Sequence, residues 1–450
     1  MTPVSSTREP NTGLLRLYRE SGWTQRQFAQ EINRLGTERG TPLKYRSPSV
    51  HQWLGGHVPR EDVRPLILEA FARRLGHPVT HAEAGFPPPG GATGRRPATE
   101  GITDLGRQDM DPSRRGVLGA SLFSVALTVP NWPDVAGRME AVQTGHTQRV
   151  GMSDVDMVTA MTEQISALYA EFGGRHSRPM AAAFLVNTVT PYLKARAPEP
   201  VRKSMMSAAS DLCYLAGHMA VDEGLHGLAQ QYYVKALEVA GASEDHLTYC
   251  TTLRGMSVQA VDLGHGREAL RLADAAAAAA PEAGPRMRAF LAGQQAHAAA
   301  QTGDRTSALS HLRVAEAALD KAESRERKFV CSYRLPALRY HTGQVLYALG
   351  DVRGSTTELA ESDKHRNPSA HRTRVRYLSL LAERQLEIGH LETACATWRQ
   401  VLDIYPKVQS GQCDQSVTRM LGRIRPYQKT PAARALYERA RTAVPLTGRA

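Results

Sequence analysis

The stretch SDLCYLAGHMAVDEGLHGLAQQYYVKALEVAG, residues 210–241, decides the fold. In its first half Ala216, Gly217 and Ala220 fall three and four positions apart; Gly224 interrupts the pattern; Ala229, Tyr233 and Ala236 resume it. Residues at that spacing share one helix face. Small side chains there let a second helix approach closely, and the larger ones between them fill the gap. The reading is a pair of helices joined by a glycine turn. The small residue of the second helix recurs as Ala229, Ala269, Ala308, Ser355 and Ala394, in steps of 40, 39, 47 and 39 residues. A fixed recurrence of this length predicts helix pairs stacked on one another, each burying what its neighbour cannot bury alone.

These residues resemble tetratricopeptide (TPR) repeats. The small residue of the first helix stands at Gly217, Ser257, Ala296, Gly343 and Ala382, and the turn is written DEG, LGHG, TGD, LGD or IGH. A repeat-closing proline stands at Pro281 and Pro406. The spacing exceeds the 34 residues usual for that family, and the aromatic pair of the first helix is mostly replaced, so the repeats are TPR-like. Residues 153–173 and 178–197 are expected to form a preceding pair, with Pro179 opening its second helix, and 416–444 to supply Arg-rich capping helices.

Composition bounds the rest. At 450 residues the chain exceeds a single ordinary core. It carries 56 Lys+Arg against 44 Asp+Glu, a formal charge of +12. Residues 1–115 hold 17 basic and 12 acidic residues and the remainder 39 and 32, so the charge is about twice as dense at the N-terminal end. That suits a polyanionic partner. Cys213, Cys250, Cys331, Cys395 and Cys413 show no CxxC spacing and mostly fall in apolar helical patterns, as free thiols in a reducing cytoplasm would. No apolar run reaches 18 residues, so no membrane span is expected. Neither an HExxH zinc motif nor a GxxxxGK[ST] phosphate loop occurs, which leaves no metal, cofactor or enzymatic activity to assign.

Residues 1–86 read as a run of short helices. Asn11 caps the first, with Leu14, Leu15 and Tyr18 inward; Thr24 caps the second, with Phe28, Ile32 and Leu35 on one face. Ser47 as N-cap and Pro48 at the first helical position open the third, which buries Val50, Trp53 and Leu54 and ends at Gly55 and Gly56. A fourth follows in PREDVRPLILEAFARRLG and a short fifth in HAEAGF. This punctuation is what a helix-turn-helix domain needs. The segment resembles the Cro/repressor-type (XRE) family: Thr24, Gln25, Phe28 and Ala29 match its second helix, and Ser47, Val50, Trp53 and Gly56 its recognition helix. The departure is about a dozen extra residues between the two, including TERGTPLKYR, from either a longer second helix or an extended loop. The resemblance implies double-stranded DNA as partner. Ser49, His51 and Gln52 would face base edges, and Gln25, Arg26, Lys44 and Arg46 the phosphates.

Residues 87–112 show no apolar periodicity and read as a flexible linker. SRRGVLGASLFSVALTVPNWP, residues 113–133, imitates a twin-arginine export signal, but it follows a folded domain and its apolar run is too short to span. We expect it to dock Leu118, Leu122, Phe123 and Leu127 onto the repeat domain, residues 134–450. The fold class is therefore all-α, a small helix-turn-helix domain followed by a TPR-like α-solenoid. The TPR resemblance implies a concave groove for a peptide or protein, with Tyr214, His218, Arg254, His297, Tyr340, Gln344 and Glu383 facing it. The two halves together resemble the sensor-regulators of Gram-positive bacteria, actinomycetes in particular. They imply a cytoplasmic, homodimeric transcription regulator, because paired heads must match half-sites about one helical turn apart. A protein-interaction adaptor with a head that no longer touches DNA is the alternative, and the insertion is what favours it.

Overall fold

A computed structural model describes residues 10–38, 42–75, 79–87, 99, 101–110, 123, 127, 149–322 and 333–443. All its regular elements there are helical. The chain divides into two compact units: Met1–Pro97 with Asp111–Pro130 and His226–Leu228, and Ala98–Met110 with Asn131–Leu225 and Ala229–Ala450.

The first unit contains α1 (Thr12–Ser21), α2 (Gln25–Glu38), α3 (Ser47–Leu54) and α4 (Arg64–Leu75). Asn11 caps α1, accepting from the Leu14 amide at 2.9 Å, and Gly22 ends it at φ 66°. Thr24 and Gln27 form a reciprocal capping box at the start of α2. Phe28, Phe71 and Trp23 cluster, with ring centroids 4.7–5.8 Å apart, over the fully buried Leu14, Ile32, Leu35 and Ile67. The N-cap of α3 is Arg46 rather than Ser47, whose hydroxyl makes no capping bond, and Pro48 is accordingly at the second helical position.

The insertion before α3 combines both expected forms. Helix α2 runs on to Glu38, and residues 42–46 lead without regular structure into α3. Asn33 pins that segment with two bonds to the Tyr45 backbone, each 2.8 Å. An Asn side chain used this way imitates a backbone partner for chain that has none. Tyr45 packs edge-on against Trp53 at 4.9 Å, so the start of α3 is held by the end of the loop.

Two expectations for the connecting chain are corrected. Residues 102–110 are not linker but a helix, α5 (Ile102–Met110), in the second unit. Its apolar signal is only Ile102 and Leu105; what holds it is the buried Asp109, paired with Arg178 and accepting from the Tyr232 hydroxyl at 2.9 Å. A buried charge is tolerated only when paired in this way. Phe123 is buried, and its carbonyl accepts from Arg73 of α4 at 3.5 Å, within the first unit. Leu127 is half-buried, and Leu118 and Leu122 lie outside the described residues.

The second unit continues with α6 (Met152–Phe172) and α7 (Gly174–Phe184), which runs through a π turn at Leu185–Val189 into Thr190–Lys194. Pro179 lies inside α7 and does not open it. The repeats follow as α8 (Glu199–Asp222) with α9 (His226–Ala242), α10 (His246–Asp262) with α11 (Gly266–Ala278), and α12 (Pro285–Gln301) with α13 (Arg305–Asp320). Next come α14 (Leu335–Ala348) with α15 (Val352–Lys364), and α16 (His371–Glu387) with α17 (Leu391–Ile404). Helices α18 (Gly411–Ile424) and α19 (Pro431–Ala443) close the array.

One turn is used five times. Gly224, Gly264, Gly303, Gly350 and Gly389 have φ between 75° and 89°. In each the next amide returns to the carbonyl five residues back, from Leu225 to Ala220 and likewise to His390 and Gln385, at 2.8–3.1 Å. This is the Schellman closure, which needs a left-handed residue and therefore favours glycine. Within the pairs the small positions meet as their spacing predicts. The Ser257 hydroxyl donates to the Ala269 carbonyl at 2.7 Å, and Ser355 to Gly343 at 2.6 Å. A Cβ on Gly217 would lie 2.7 Å from the Tyr233 ring.

The array closes on itself. The Gln409 amide donates to the Phe172 carbonyl at 2.7 Å and the Arg175 amide to the Gln409 carbonyl at 3.1 Å. Asp222, fully buried at the end of α8, accepts from the Gly174 amide (3.0 Å), Arg372 of α16 (3.0 Å) and Ser410 (2.8 Å). The Arg175 side chain reaches Asp414 at 2.7 Å and Glu223 at 3.1 Å. Helix α16 packs on α6, and α6 on α8. The first helices of the repeats thus surround a common centre.

Candidate functional site

Two regions carry the expected chemistry, one in each unit. On the first unit α3 turns Val50, Trp53 and Leu54 inward and leaves His51 and Gln52 exposed, with Ser49 half-buried. Lys44 and Arg46 are exposed on the segment that enters α3; Arg26 is exposed and Gln25 half-buried in the first turn of α2. Among the other described arginines of this unit Arg19 is exposed with no carboxylate within 4.0 Å, and six divide by partner. Arg16, Arg34, Arg60 and Arg73 each pair with a carboxylate, while Arg64 and Arg74 donate to the carbonyls of Pro59 and Ser21. Arg26, Lys44 and Arg46 have no carboxylate within 4.0 Å among the described residues.

In the second unit the encircled centre holds two adjoining cavities. The first, about 180 Å³, is lined by His218 of α8, Arg254 of α10, Gln294 and His297 of α12, and Arg372 and Tyr377 of α16, among others. The second, about 280 Å³, is lined by Gln344, Glu383, Gln412 and Arg419. Asp262, Tyr340 and Arg376 line both. The structure therefore gathers six of the seven residues expected in the groove: His218, Arg254 and His297 in the first cavity, Gln344 and Glu383 in the second, and Tyr340 in both. Tyr214 is the exception. Its ring sits against Gly255, where a Cβ would come within 2.8 Å, and between His218 and Tyr233, and it lines neither cavity. The bonds around Asp222 join the first helix pair to α16 and Ser410, so these residues gather at the centre of the array.

The side chains around the first cavity form a polar network. Arg254 lies over the Phe290 ring at 3.8 Å, and its guanidinium donates to His341 Nε2 at 3.3 Å. Because Nε2 accepts, the proton of neutral His341 sits on Nδ1, which faces the Tyr333 hydroxyl at 2.8 Å. Burial, followed by the nearby arginines, holds the histidines neutral. His218 is pushed down to about 3 and His297 to about 4, and His341 lies well below the ordinary value. Tyr340 stacks on Tyr377 at 3.8 Å, and burial raises its hydroxyl above the usual range. Arg376 faces Asp262 at 3.7 Å. In the second cavity Glu383 holds Arg419 at 3.4 Å and Gln344 takes a bond from Arg384.

Sequence reading missed Asp262, Gln294, His341, Arg372 and Arg376. The signal was present: Asp262 is two helical turns beyond Arg254, Gln294 one turn before His297, and Arg376 two turns before Glu383. Extending the inward stripe along each first helix finds them. Gly293 supplies a test of the network. A Cβ there would stand 2.5 Å from His341 Nδ1 and would overlap the Tyr333 hydroxyl. Gly293→Ala is expected to break the Tyr333–His341 contact and cost about 1–3 kcal/mol. Denaturant unfolding of the variant checks this, and a cost near zero would mean that the tyrosine can move aside freely.

Cys213 and Cys250 are buried with their thiols pushed up to about 12, and Cys413 to about 11, by burial, which makes them unreactive. Cys331 lies outside the described residues. Among the described residues no helix is long and apolar enough to cross a membrane, and no group of His, Cys, Asp and Glu is arranged to hold a metal ion. No curated protein matches the chain. Residues 14–87, the stretch from α1 to the turn that packs over its start, match a family model described as the SP15 N-terminal domain.

Proposed function

We propose that this protein is a cytoplasmic DNA-binding transcription regulator whose helical-repeat unit is its sensing half. The observation that carries the reading is the division of cations on the first unit. Arg16, Arg34, Arg60, Arg64, Arg73 and Arg74 are engaged by carboxylates or carbonyls, while Arg26, Lys44 and Arg46, in the first turn of α2 or leading into α3, are exposed without an acidic partner among the described residues, as is Arg19 on α1. Cations left available around an exposed helix suit a phosphate backbone. Asn33 and Tyr45 support the reading by giving α3 a defined start despite the insertion. In this arrangement α3 enters the major groove and Ser49, His51 and Gln52 meet base edges, with Gln52 suited to adenine. Gln25 and Arg26 at the start of α2 meet a phosphate.

The ligand of the repeat unit is, on the TPR resemblance, a peptide or protein. The two cavities at its centre, about 180 and 280 Å³, suit a small group such as a chain terminus. A homodimer fits the exposed apolar strip on α6, where Met157, Met161, Leu168 and Phe172 fall on one face, 37–44% exposed. A second copy of the chain is the occupant this reading assigns to it.

Fluorescence anisotropy over a salt series, with sequences selected from a random pool, tests the head. Lys44→Ala and Arg46→Ala should weaken binding to all sequences alike and flatten the log K against log salt slope by about 0.9 for each phosphate no longer neutralised. Gln52→Ala and His51→Ala should relax sequence preference, at about 1–3 kcal/mol for each base contact. Specific binding untouched by the double His51 and Gln52 substitution would remove α3 as the reading helix. No DNA binding at all would favour the adaptor.

A further inference from the structure

The first cavity is built for a ligand with a particular pair of groups. Three guanidiniums line it, those of Arg254, Arg372 and Arg376, and two carboxylates answer them. Asp222 takes Arg372 at 3.0 Å and Asp262 faces Arg376 at 3.7 Å. Arg254 has no carboxylate within 4.0 Å among the described residues; its partners are the Phe290 ring, the Phe290 carbonyl at 3.4 Å and neutral His341. One positive charge at this wall, on the half-buried Arg254, is therefore without an acidic partner among the described residues, and a partly desolvated guanidinium in that position is stabilised by an anion.

Gln294 adds the second element. It is fully buried and lines the same cavity. Its Nε2 donates to the Ser257 hydroxyl at 2.9 Å, and that hydroxyl gives its single proton to the Ala269 carbonyl at 2.7 Å. Ser257 can therefore only accept from Gln294, which settles the amide's orientation. Gln294 Oε1 is left as a buried acceptor without a donor among the described residues. A buried acceptor of this kind carries a desolvation cost that a ligand N–H or O–H would remove. His297, Tyr340 and Tyr377 complete the wall with partly apolar surface.

We propose that this cavity binds a small organic carboxylate that also carries a hydrogen-bond donor, with Arg254 holding the carboxylate and Gln294 Oε1 accepting from the donor. The inference deepens the sensing half of the function proposed above and rests on it. Ligand binding and DNA binding are read in separate assays, so each can fail alone. A free organic acid and the C-terminal carboxylate of a short peptide share this chemistry. A cavity of about 180 Å³ adjoining one of about 280 Å³ has room for either a single residue or a chain end.

The test titrates the full chain by calorimetry with N-acetyl-leucine, N-acetyl-dileucine and 4-methylpentanoate, each beside its primary amide. The acids should bind and the amides should bind at least about tenfold more weakly, because the amide brings no charge to Arg254. Arg254→Met should abolish the difference between acid and amide. Gln294→Met should weaken the N-acetyl acids, which carry an N–H, and leave 4-methylpentanoate, which has none, unchanged. Tighter binding of the dipeptide than of the single acid would identify the ligand as a peptide end, and the reverse as a free acid. Amides that bind as well as acids, an Arg254→Met protein that binds acids like the wild type, or no binding by any of the six compounds would each overturn the proposal. Thermal unfolding of both variants in buffer alone checks that they fold. Should Arg254→Met not fold, the acid–amide difference in the wild-type protein decides.

Discussion

Asp222→Ala is expected to lower the stability of the repeat unit by about 3–5 kcal/mol and to open the ring. Asp222 is fully buried and accepts three bonds from chain far apart in sequence, from the Gly174 amide, the Arg372 guanidinium and the Ser410 hydroxyl. Alanine removes all three and strands the guanidinium of Arg372, which is 7% exposed and stacked over Tyr169 at 4.3 Å. The uncompensated charge, rather than the missing attraction, is the larger part of the cost. Asparagine at this position would keep one carbonyl oxygen while turning an amide toward donors, so Asp222→Asn should fall between the wild type and Asp222→Ala. Urea unfolding measures the loss. Hydrogen exchange reads the opening directly, through faster exchange at Arg175, Gln409 and Gly411, whose amides cross the closure. A loss under about 1 kcal/mol with unchanged exchange at those amides would show that the closure does not depend on Asp222.

Acid should destabilise the same unit well above the pH at which carboxylates titrate. Burial, then the arginines, holds His297 at about 4 and His341 well below the ordinary value, and His218 is shifted the same way. In the unfolded chain these groups return to about 6.5. Below that pH the unfolded state takes up protons that the folded state refuses, so stability is full above about pH 6.5 and falls as pH drops toward 4. Each such histidine contributes about 1.4 kcal/mol per pH unit in that window, so His297 and His218, held at about 4 and about 3, together cost about 4 kcal/mol at about pH 5. Urea unfolding between about pH 7.5 and 5 should show this slope, and His297→Gln should reduce it by about 1.4 kcal/mol per unit. A flat profile over that range would mean that the folded state admits protons to the histidines.

Much of this molecule is legible before folding. The repeat turns are visible because Gly224, Gly264, Gly303, Gly350 and Gly389 sit where only glycine enters the left-handed region without strain. The pairing of Ser257 with Ala269 and of Gly343 with Ser355 follows from small residues at helical spacing. Six cavity residues were visible for a similar reason, since the inward stripe of each first helix repeats every three or four residues. Helix α5 was invisible because two apolar residues make no period and its anchor is one carboxylate, Asp109, whose partner Arg178 lies far along the chain. Pro179 read as a helix start because proline favours that position, yet α7 carries it inside and runs on into a π turn.

The sequence by itself determined the helices, their pairing and the small-residue contacts within each pair, because these depend on neighbours three, four or a turn away. Tertiary structure alone decided that the array closes. Closure depends on the small rotation between successive pairs, summed over the whole array, and no local pattern encodes that sum. It brings Asp222 to Arg372 and Arg175 to Asp414, and gathers the inward residues around two small cavities. It also decides which arginines find carboxylates, and thereby leaves Arg254 and Gln294 as the pair with a charge and an acceptor to offer.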